Sequence, residues 1–324
     1  MIKRQRGVAL IVALMVFAIV SGVAVSVLSS VNQTLTIAQF SQRDVQQKET
    51  LLGGEAWAMA WLASQGNEQE ASLVIDWQAP WQLHQQNFPL DEEGQSLEIE
   101  IVDRQTCINV NGLVQESSRE VTRQRLMRLS SALGVESLWI DHLSDWVDED
   151  QSLGSPNSRE DEYYLGKERP YRTGDTSLSS LSELTLLGLD DALQTALAPY
   201  ICALPVELGM NINRMSDVML KALLPDISAD QRASITAQVQ TTGYPSVDDF
   251  VALEMFEGKD MQSSDWRIDS RFVEVFVTFK EADFERVLHS QLVKTNTGTV
   301  VPVTRSFGAF DVLSNALLTK REQE

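Results

Sequence analysis

Positive charge is scarce in this sequence. Its 324 residues carry 26 Lys and Arg against 46 Asp and Glu, a formal net charge of −20. Phosphate binding needs clustered basic side chains, so that balance excludes a nucleic-acid partner. Histidine is rarer still, with only His84, His142 and His289, and neither of the two cysteines, Cys107 and Cys202, has a second Cys or a His at metal-ligand spacing. A zinc site therefore lacks its ligands. No Ser-His-Asp, Cys-His or paired-acid arrangement stands out, and Ser144 beside His142 is an accident of spacing without a pocket. No catalytic residue is expected, and the chain reads as a non-enzyme. Proline is absent before Pro80, so nothing interrupts a long N-terminal helix.

What is present begins at the N-terminus. Met1 to Gly7 (MIKRQRG) lead straight into an unbroken apolar run from Val8 to Leu28. About 21 residues at 1.5 Å each suffice to cross a hydrocarbon core of roughly 30 Å. A secretory signal has a shorter apolar region of roughly 7 to 15 residues, with its cleavage site after it. Here the short basic head precedes the run and Gly7 offers a peptidase an unobstructed backbone; a Gly in that place resembles the type IV prepilin class, which implies cleavage between Gly7 and Val8. The alternatives are a signal peptide cut near Ser29 and Ser30, or an uncut anchor. Lys3, Arg4 and Arg6 flank one side and nothing basic follows until Arg43. The positive-inside bias then puts the N-terminus in the cytoplasm and everything after about Val31 outside, in a single-pass arrangement. In that oxidising compartment an even pair of cysteines favours a disulfide between Cys107 and Cys202, worth on the order of 4 to 5 kcal/mol by loop closure. The alternative is two buried thiols.

Beyond the span the sequence stays helix-friendly, with an apolar stripe through Leu51, Leu52, Ala56, Met59 and the i, i+4 pair Trp57 and Trp61. A single helix is expected from about Val8 to Ser64. Gln65 to Asp91 reads as loop. Leu97, Ile99 and Ile101 alternate with Glu98, Glu100 and Val102, the period of a half-buried strand. The pattern then turns helical from Leu113 to about Asp260. It returns to strand in Arg271 to Lys280, Glu285 to Thr295 and Val300 to Phe307, with a hairpin turn at Thr297-Gly298.

A long N-terminal helix on an antiparallel sheet, behind such a leader, resembles the type IV pilin and pseudopilin architecture. The strings RGVALIVALMVF, GGEAWAMAWL, CINVNGL, DWVDEDQ with Glu160-Asp161 and Tyr163 after it, and LPVELGMNINRM occur in an order that resembles one family, minor pseudopilin K of type II secretion systems. The resemblance implies an α+β pilin-like fold, in which a large all-α insertion resembling SAM-like and helix-hairpin-helix domains interrupts the sheet. The expected boundaries are leader 1–7, transmembrane helix 8–31, pilin-like parts 32–112 and 266–324, and insertion 113–265. It also implies a subunit that caps the tip of a periplasmic pseudopilus for export of folded proteins. Implied partners are other minor pseudopilins, a prepilin peptidase, the inner membrane, and secreted proteins or an outer-membrane channel. Pilin-like subunits carry Glu at the fifth mature position, where this chain has Val12. A carboxylate in mid-bilayer costs about 2.5 to 3.5 kcal/mol unless it meets a partner, and a subunit with none above it has no use for one.

Asp145, Asp148 and Asp150 precede a Gly-Pro-Asn-Ser turn, and Glu160, Asp161 and Glu162 follow it. Crowded carboxylates suit a hard cation with six to eight oxygen ligands. The spacing is not an EF-hand, but the resemblance implies calcium at such a segment. The expected ligands are Asp148, Asp150, Glu160 and Asp161, with Asp145 a weaker one; the alternative is a solvated acidic turn. Further along, Asn213 to Leu224, LLPDIS and Ala229 to Gln240 echo a helix-hairpin-helix, but Asp226 and Ser228 stand where phosphate-binding hairpins carry glycine. Asn111 and Asn213, in repeated Asn-Val-Asn and Asn-Ile-Asn triplets, are expected to cap helices. The rival readings are a type IV pilus or competence minor pilin, and a membrane-tethered metal-dependent hydrolase using the acidic cluster.

Overall fold

The computed structural model describes residues 5–65, 82–91, 94–205, 208–259, 261–282, 284–295 and 297–308, with side chains from Leu10 onward. Lys3 and Arg4 of the leader, Pro80 and residues 309–324 lie outside them. The chain divides into Met1–Gly53 and Gly54–Glu324.

Helix α1 runs unbroken over Gln5–Ser64. In the first unit every side chain from Leu10 to Arg43 is exposed except Ser21, including Leu10, Ile11, Phe17 and Ile19 at 55 to 71%. Its apolar window has a mean hydropathy of 2.8. The helix is long and apolar enough to cross a membrane, and water is a poor solvent for such a surface. Thr34 and Thr36 return their hydroxyls to the carbonyl oxygens of Ser30 and Asn32 at 2.9 Å, so they add no unmet donor to the rod.

The second unit is built on an antiparallel sheet of β1 (Gln82–Pro89), β2 (Ser96–Asp103), β7 (Phe272–Glu281), β8 (Phe284–Lys294) and β9 (Val300–Phe307), in that spatial order. Ile99 lies opposite Val277 and Val277 opposite Leu288. These apolar rungs face the end of α1, where a Cβ on Gly54 would stand 2.5 Å from Val277 Cγ1 and 3.1 Å from Leu97 Cδ2. Glycine is what lets helix and sheet approach there. The next residue, buried Glu55, accepts from Ser290 Oγ at 2.5 Å and from Arg305 Nε and Nη2 at 2.6 to 2.9 Å.

Strand β1 corrects the expectation of loop between Gln65 and Asp91. QLHQQNFP has no apolar alternation because its cross-strand partners are polar: Gln82 Nε2 donates to Glu100 at 3.0 Å and Gln85 Nε2 to Glu98 at 2.7 Å. On its other side His84 stacks on Trp61 and Phe88 meets Trp57 edge-on. An edge strand held by amides and aromatic rings shows little period-2 signal. Strand β2 is more buried than its alternation suggests, with Glu100 at 9% exposure and Val102 at 0%, because both faces of the sheet are covered.

A helical layer lies between β2 and β7 in the chain: α2 (Glu116–Leu133), α3 (Leu138–Val147), α4 (Asp161–Leu165), α5 (Asp191–Leu197), α6 (Asp217–Leu223), α7 (Ala229–Thr241) and α8 (Val247–Val251). Leu126, Leu129, Ile140, Leu143, Leu220 and Phe250 form its core, which Val102 and Phe276 of the sheet join. The layer is anchored by two short parallel pairs, β3 (Ile108–Asn109) with β4 (Ile201–Cys202), and β5 (Met210–Asn211) with β6 (Trp266–Arg267). Cys107 and Cys202 form a disulfide with Cα atoms 5.8 Å apart, packed beside Leu204 and Phe272.

The capping asparagines are two positions before their expected sites. Asn109 and Asn211 accept from Asn111 N and Asn213 N at 3.2 and 3.0 Å and cap short 3-10 turns. Asn111 instead bonds the backbone of Leu178 and Leu204, and Asn213 that of Tyr244. Helix α6 starts later, capped by Ser216, and α7 carries a capping box between Ser228 and Gln231.

Candidate functional site

The sequence-predicted acidic residues gather where α3 ends. Leu138–Val147 is helical because Trp139, Ile140, Leu143, Trp146 and Val147 bury one stripe, which leaves Asp141, Asp145 and Asp148 on neighbouring turns. Asp148 ends the helix in extended backbone. The chain then loops out and returns as α4, with Glu160 at its N-cap.

The five candidates fare differently. Asp145 Oδ2 accepts from Arg159 N at 2.6 Å, yet burial, with Asp141 adding to it, raises its pKa. Asp148 Oδ1 is buried without a hydrogen-bond partner, and burial, then Asp150 and Asp145, raise its pKa. Asp150 is exposed and accepts from Ser152 N at 2.7 Å. Glu160 is the extreme case. It is 6% exposed, neither carboxylate oxygen has a partner, and burial with the charges of Asp145, Asp148, Asp150 and Asp175 pushes its pKa to about 7. Asp161 behaves in the opposite way: its carboxylate takes Thr173 N and Oγ1 at 3.0 Å and Arg172 Nη1 at 2.9 Å, and the Thr173 backbone bond leads the causes that lower its pKa.

The sequence reading missed Asp175. It sits at φ 47°, bonds its N–H to the Trp146 carbonyl oxygen at 3.0 Å and receives Thr173 Oγ1 at 2.6 Å. Beside it, a Cβ on Gly174 would stand 2.9 Å from Trp146 Nε1, so only glycine brings this loop segment against the end of α3. Trp146 Nε1 and Tyr164 Oη are also buried without partners. Among the described residues no three Asp, Glu, His or Cys side chains converge closely enough to hold an ion. Burial and the neighbouring carboxylates together disfavour the charged forms of Asp145, Asp148 and Glu160.

The remaining candidates give no catalytic arrangement. Ser144 Oγ donates to the Ile140 carbonyl oxygen at 2.8 Å, and burial, with Arg159 adding to it, lowers the pKa of His142. At the hairpin between α6 and α7 the Asp226 carbonyl oxygen receives Lys259 Nζ at 2.7 Å. Gly7 and Val8 lie within α1, and their side chains are outside those described.

A second ionisable group of residues, which the sequence did not single out, lies on the far face of the sheet. Buried Arg104 Nε stands 3.1 Å from Glu274 Oε2, and His289 Nε2 3.6 Å from the same oxygen. Gln291 Nε2 donates to Glu274 Oε1 at 3.2 Å. Burial alone would raise the Glu274 pKa, but Arg104 and His289 hold it well below the usual range. His289 is itself stacked on Phe276.

Residues 106–206 and 210–267 match family models described as type II secretion system (T2SS), protein K; together they span the helical layer. Type II secretion system protein K of Pseudomonas aeruginosa is 30% identical over 316 residues, covering 94% of each chain. The protein of that name from Klebsiella pneumoniae is 29% identical over 274 residues, covering 79% of this chain and 82% of its own. A chain in the crystal structure of the GspK-GspI-GspJ complex from the enterotoxigenic Escherichia coli Type 2 Secretion System shares the fold, with a TM-score of 0.63 and 24% identity over 83% of this chain and 99% of that one.

Proposed function

This chain belongs to the type II secretion system protein K family, and from that membership we propose that it works as a minor pseudopilin at the tip of the periplasmic pseudopilus, joined to sibling minor pseudopilins. The observation that supports this most directly is the pairing of one membrane-length rod, exposed along Leu10 to Arg43, with a sheet that carries a bulky helical layer between its second and third strands. A subunit inside a filament has neighbours above and below; a layer of this bulk fits only at an end. Val12 agrees, since a terminal subunit needs no carboxylate for a neighbour above it. Its N-terminus would lie in the cytoplasm, and a prepilin peptidase would cut between Gly7 and Val8. The family relation to a complex of K, I and J subunits favours siblings as its partners.

We propose that the acidic site takes a hard cation, its carboxylates drawing together on the ion as it binds. Glu160 presents two buried, unpartnered carboxylate oxygens and Asp148 one more, and the neighbours raising their pKa values are carboxylates. A structural calcium ion would supply the missing positive charge, held by Asp148, Asp150 and Glu160 with Asp145 and Asp175 close by. Magnesium demands more rigid octahedral geometry. Asp161, already bonded to Arg172 and Thr173, would fix the return segment.

The test is co-purification. Full-length chain expressed with its sibling minor pseudopilins should be recovered from the membrane as a stoichiometric complex, with mature material starting at Val8. Val12→Glu should leave that complex intact. Material starting beyond residue 25 and free of detergent would overturn the reading.

A further inference from the structure

The chain is acidic as a whole, yet one face of its helical layer is basic. Helices α2 and α6 meet where Arg128 Nε donates to the Ala222 carbonyl oxygen at 2.7 Å. Beside that contact is a concavity of about 450 Å³ lined by Arg128, Ser131, Lys221, Leu224, Pro225 and Arg232. A second concavity, of about 350 Å³, shares Ser131 and is lined by Met127, Val135 and Leu138 together with Ser130, Glu136 and Ser137. Met127 and Leu138 are 46 and 43% exposed. A basic concavity and one with an apolar wall and a polar rim therefore adjoin along α2.

The cations here are under-compensated. Lys221 and Arg232 share one carboxylate, Asp217, at 2.7 and 3.1 Å. Arg125 is taken by Asp265 at 2.9 Å. Arg128 is half-buried and forms no ion pair among the described residues. Asp226 attracts it without reaching it, while burial and the neighbouring Arg125 lower its pKa. With Nε spent on Ala222, the guanidinium keeps its terminal edge for an acceptor, and that edge matches the two oxygens of a carboxylate.

We propose that this double concavity docks a segment of a partner protein that offers a carboxylate to Arg128 and an adjacent apolar side chain to Met127 and Leu138. Charge complementarity fixes the first half of that occupant and the apolar wall the second. A free phosphate would leave the apolar half empty, and a nucleic acid would meet the net charge of −20. The site goes beyond the tip assembly proposed above and depends on neither the ion nor the siblings.

The test uses full-length chain in detergent micelles and a fluorescein-labelled Leu-Glu-Glu-Leu peptide, followed by anisotropy. Binding should weaken at least tenfold for Leu-Gln-Gln-Leu and for Arg128→Glu, and about threefold for Lys221→Glu. Met127→Glu should also weaken it, and Arg128→Lys should retain part of it. If Arg128→Glu fails to fold, Arg128→Gln and Met127→Glu carry the same expectation. The proposal is overturned by an absence of binding at millimolar peptide, by equal binding of the Glu and Gln peptides, by binding indifferent to these substitutions, or by displacement with inorganic phosphate as readily as with unlabelled peptide.

Discussion

Two buried glutamates, one under the sheet and one in the loop after α3, have their pKa values moved in opposite directions. Glu274 is 3% exposed and Glu160 6%, and burial pushes both pKa values up. At Glu274 the charges of Arg104 and His289 overcome that push and the pKa falls; at Glu160 four aspartates add to it and the pKa rises to about 7. Burial sets the same direction at both sites, and the neighbours decide whether it prevails. The sheet completes its own electrostatics from within the chain, whereas the loop is left with an excess of negative charge that a ligand from outside would cancel.

The sharpest way to break this contrast is to remove each glutamate. Glu274→Ala strands the Arg104 guanidinium in the interior and should cost about 3 to 5 kcal/mol in urea unfolding. Glu160→Gln should instead stabilise the calcium-free protein at pH 8. Losses of equal sign and size in both variants would mean that the two sites do not differ as described. Next in size is calcium itself: free ion at a hundred times its dissociation constant should stabilise the chain by about 2.7 kcal/mol over chelator, and Glu160→Gln should abolish most of that gain. A melting temperature indifferent to calcium would remove the ion from the account.

A smaller effect is expected from pH in the presence of chelator. Folded Glu160 keeps its proton up to about pH 7, while an unfolded glutamate releases it near 4.5. The folded state therefore binds more protons between those values, and stability should fall as pH rises from about 4.5 to about 7, then level off. The two-and-a-half-unit gap corresponds to roughly 3 kcal/mol, which solvent over the loop reduces to on the order of 1 to 2. Saturating calcium should flatten the slope.

Features that depend on a local period were legible from sequence. The rod needs only composition, and β7, β8 and β9 carry runs of β-branched and aromatic residues from Phe272 to Phe307. Strand β1 was not legible, because Gln82 and Gln85 pair with glutamates and its ring contacts come from α1. The acidic residues were visible as a run, but which of them lack a partner depends on residues far along the chain, such as Thr173 and Arg172. Asp175 escaped notice for the same reason. Arg104 and Glu274, 170 positions apart in the numbering, could be joined only by the register of β2 on β7.

Asp161 lies beside Glu160 in sequence but belongs electrostatically with the sheet, since it already holds Arg172 and two Thr173 donors. That makes it the finest test of the contrast and the one with the smallest expected effect. Asp161→Asn keeps an oxygen that can accept from Thr173 and gives up the Arg172 pair, so calcium affinity measured by titration calorimetry should change less than about threefold, against at least tenfold for Glu160→Gln. A loss at Asp161 as large as at Glu160 would place its carboxylate on the ion and return it to the ligand set read from sequence. It would then follow that Arg172 and Thr173 let go when the ion arrives, and that the closing of the carboxylates on calcium extends into the return segment.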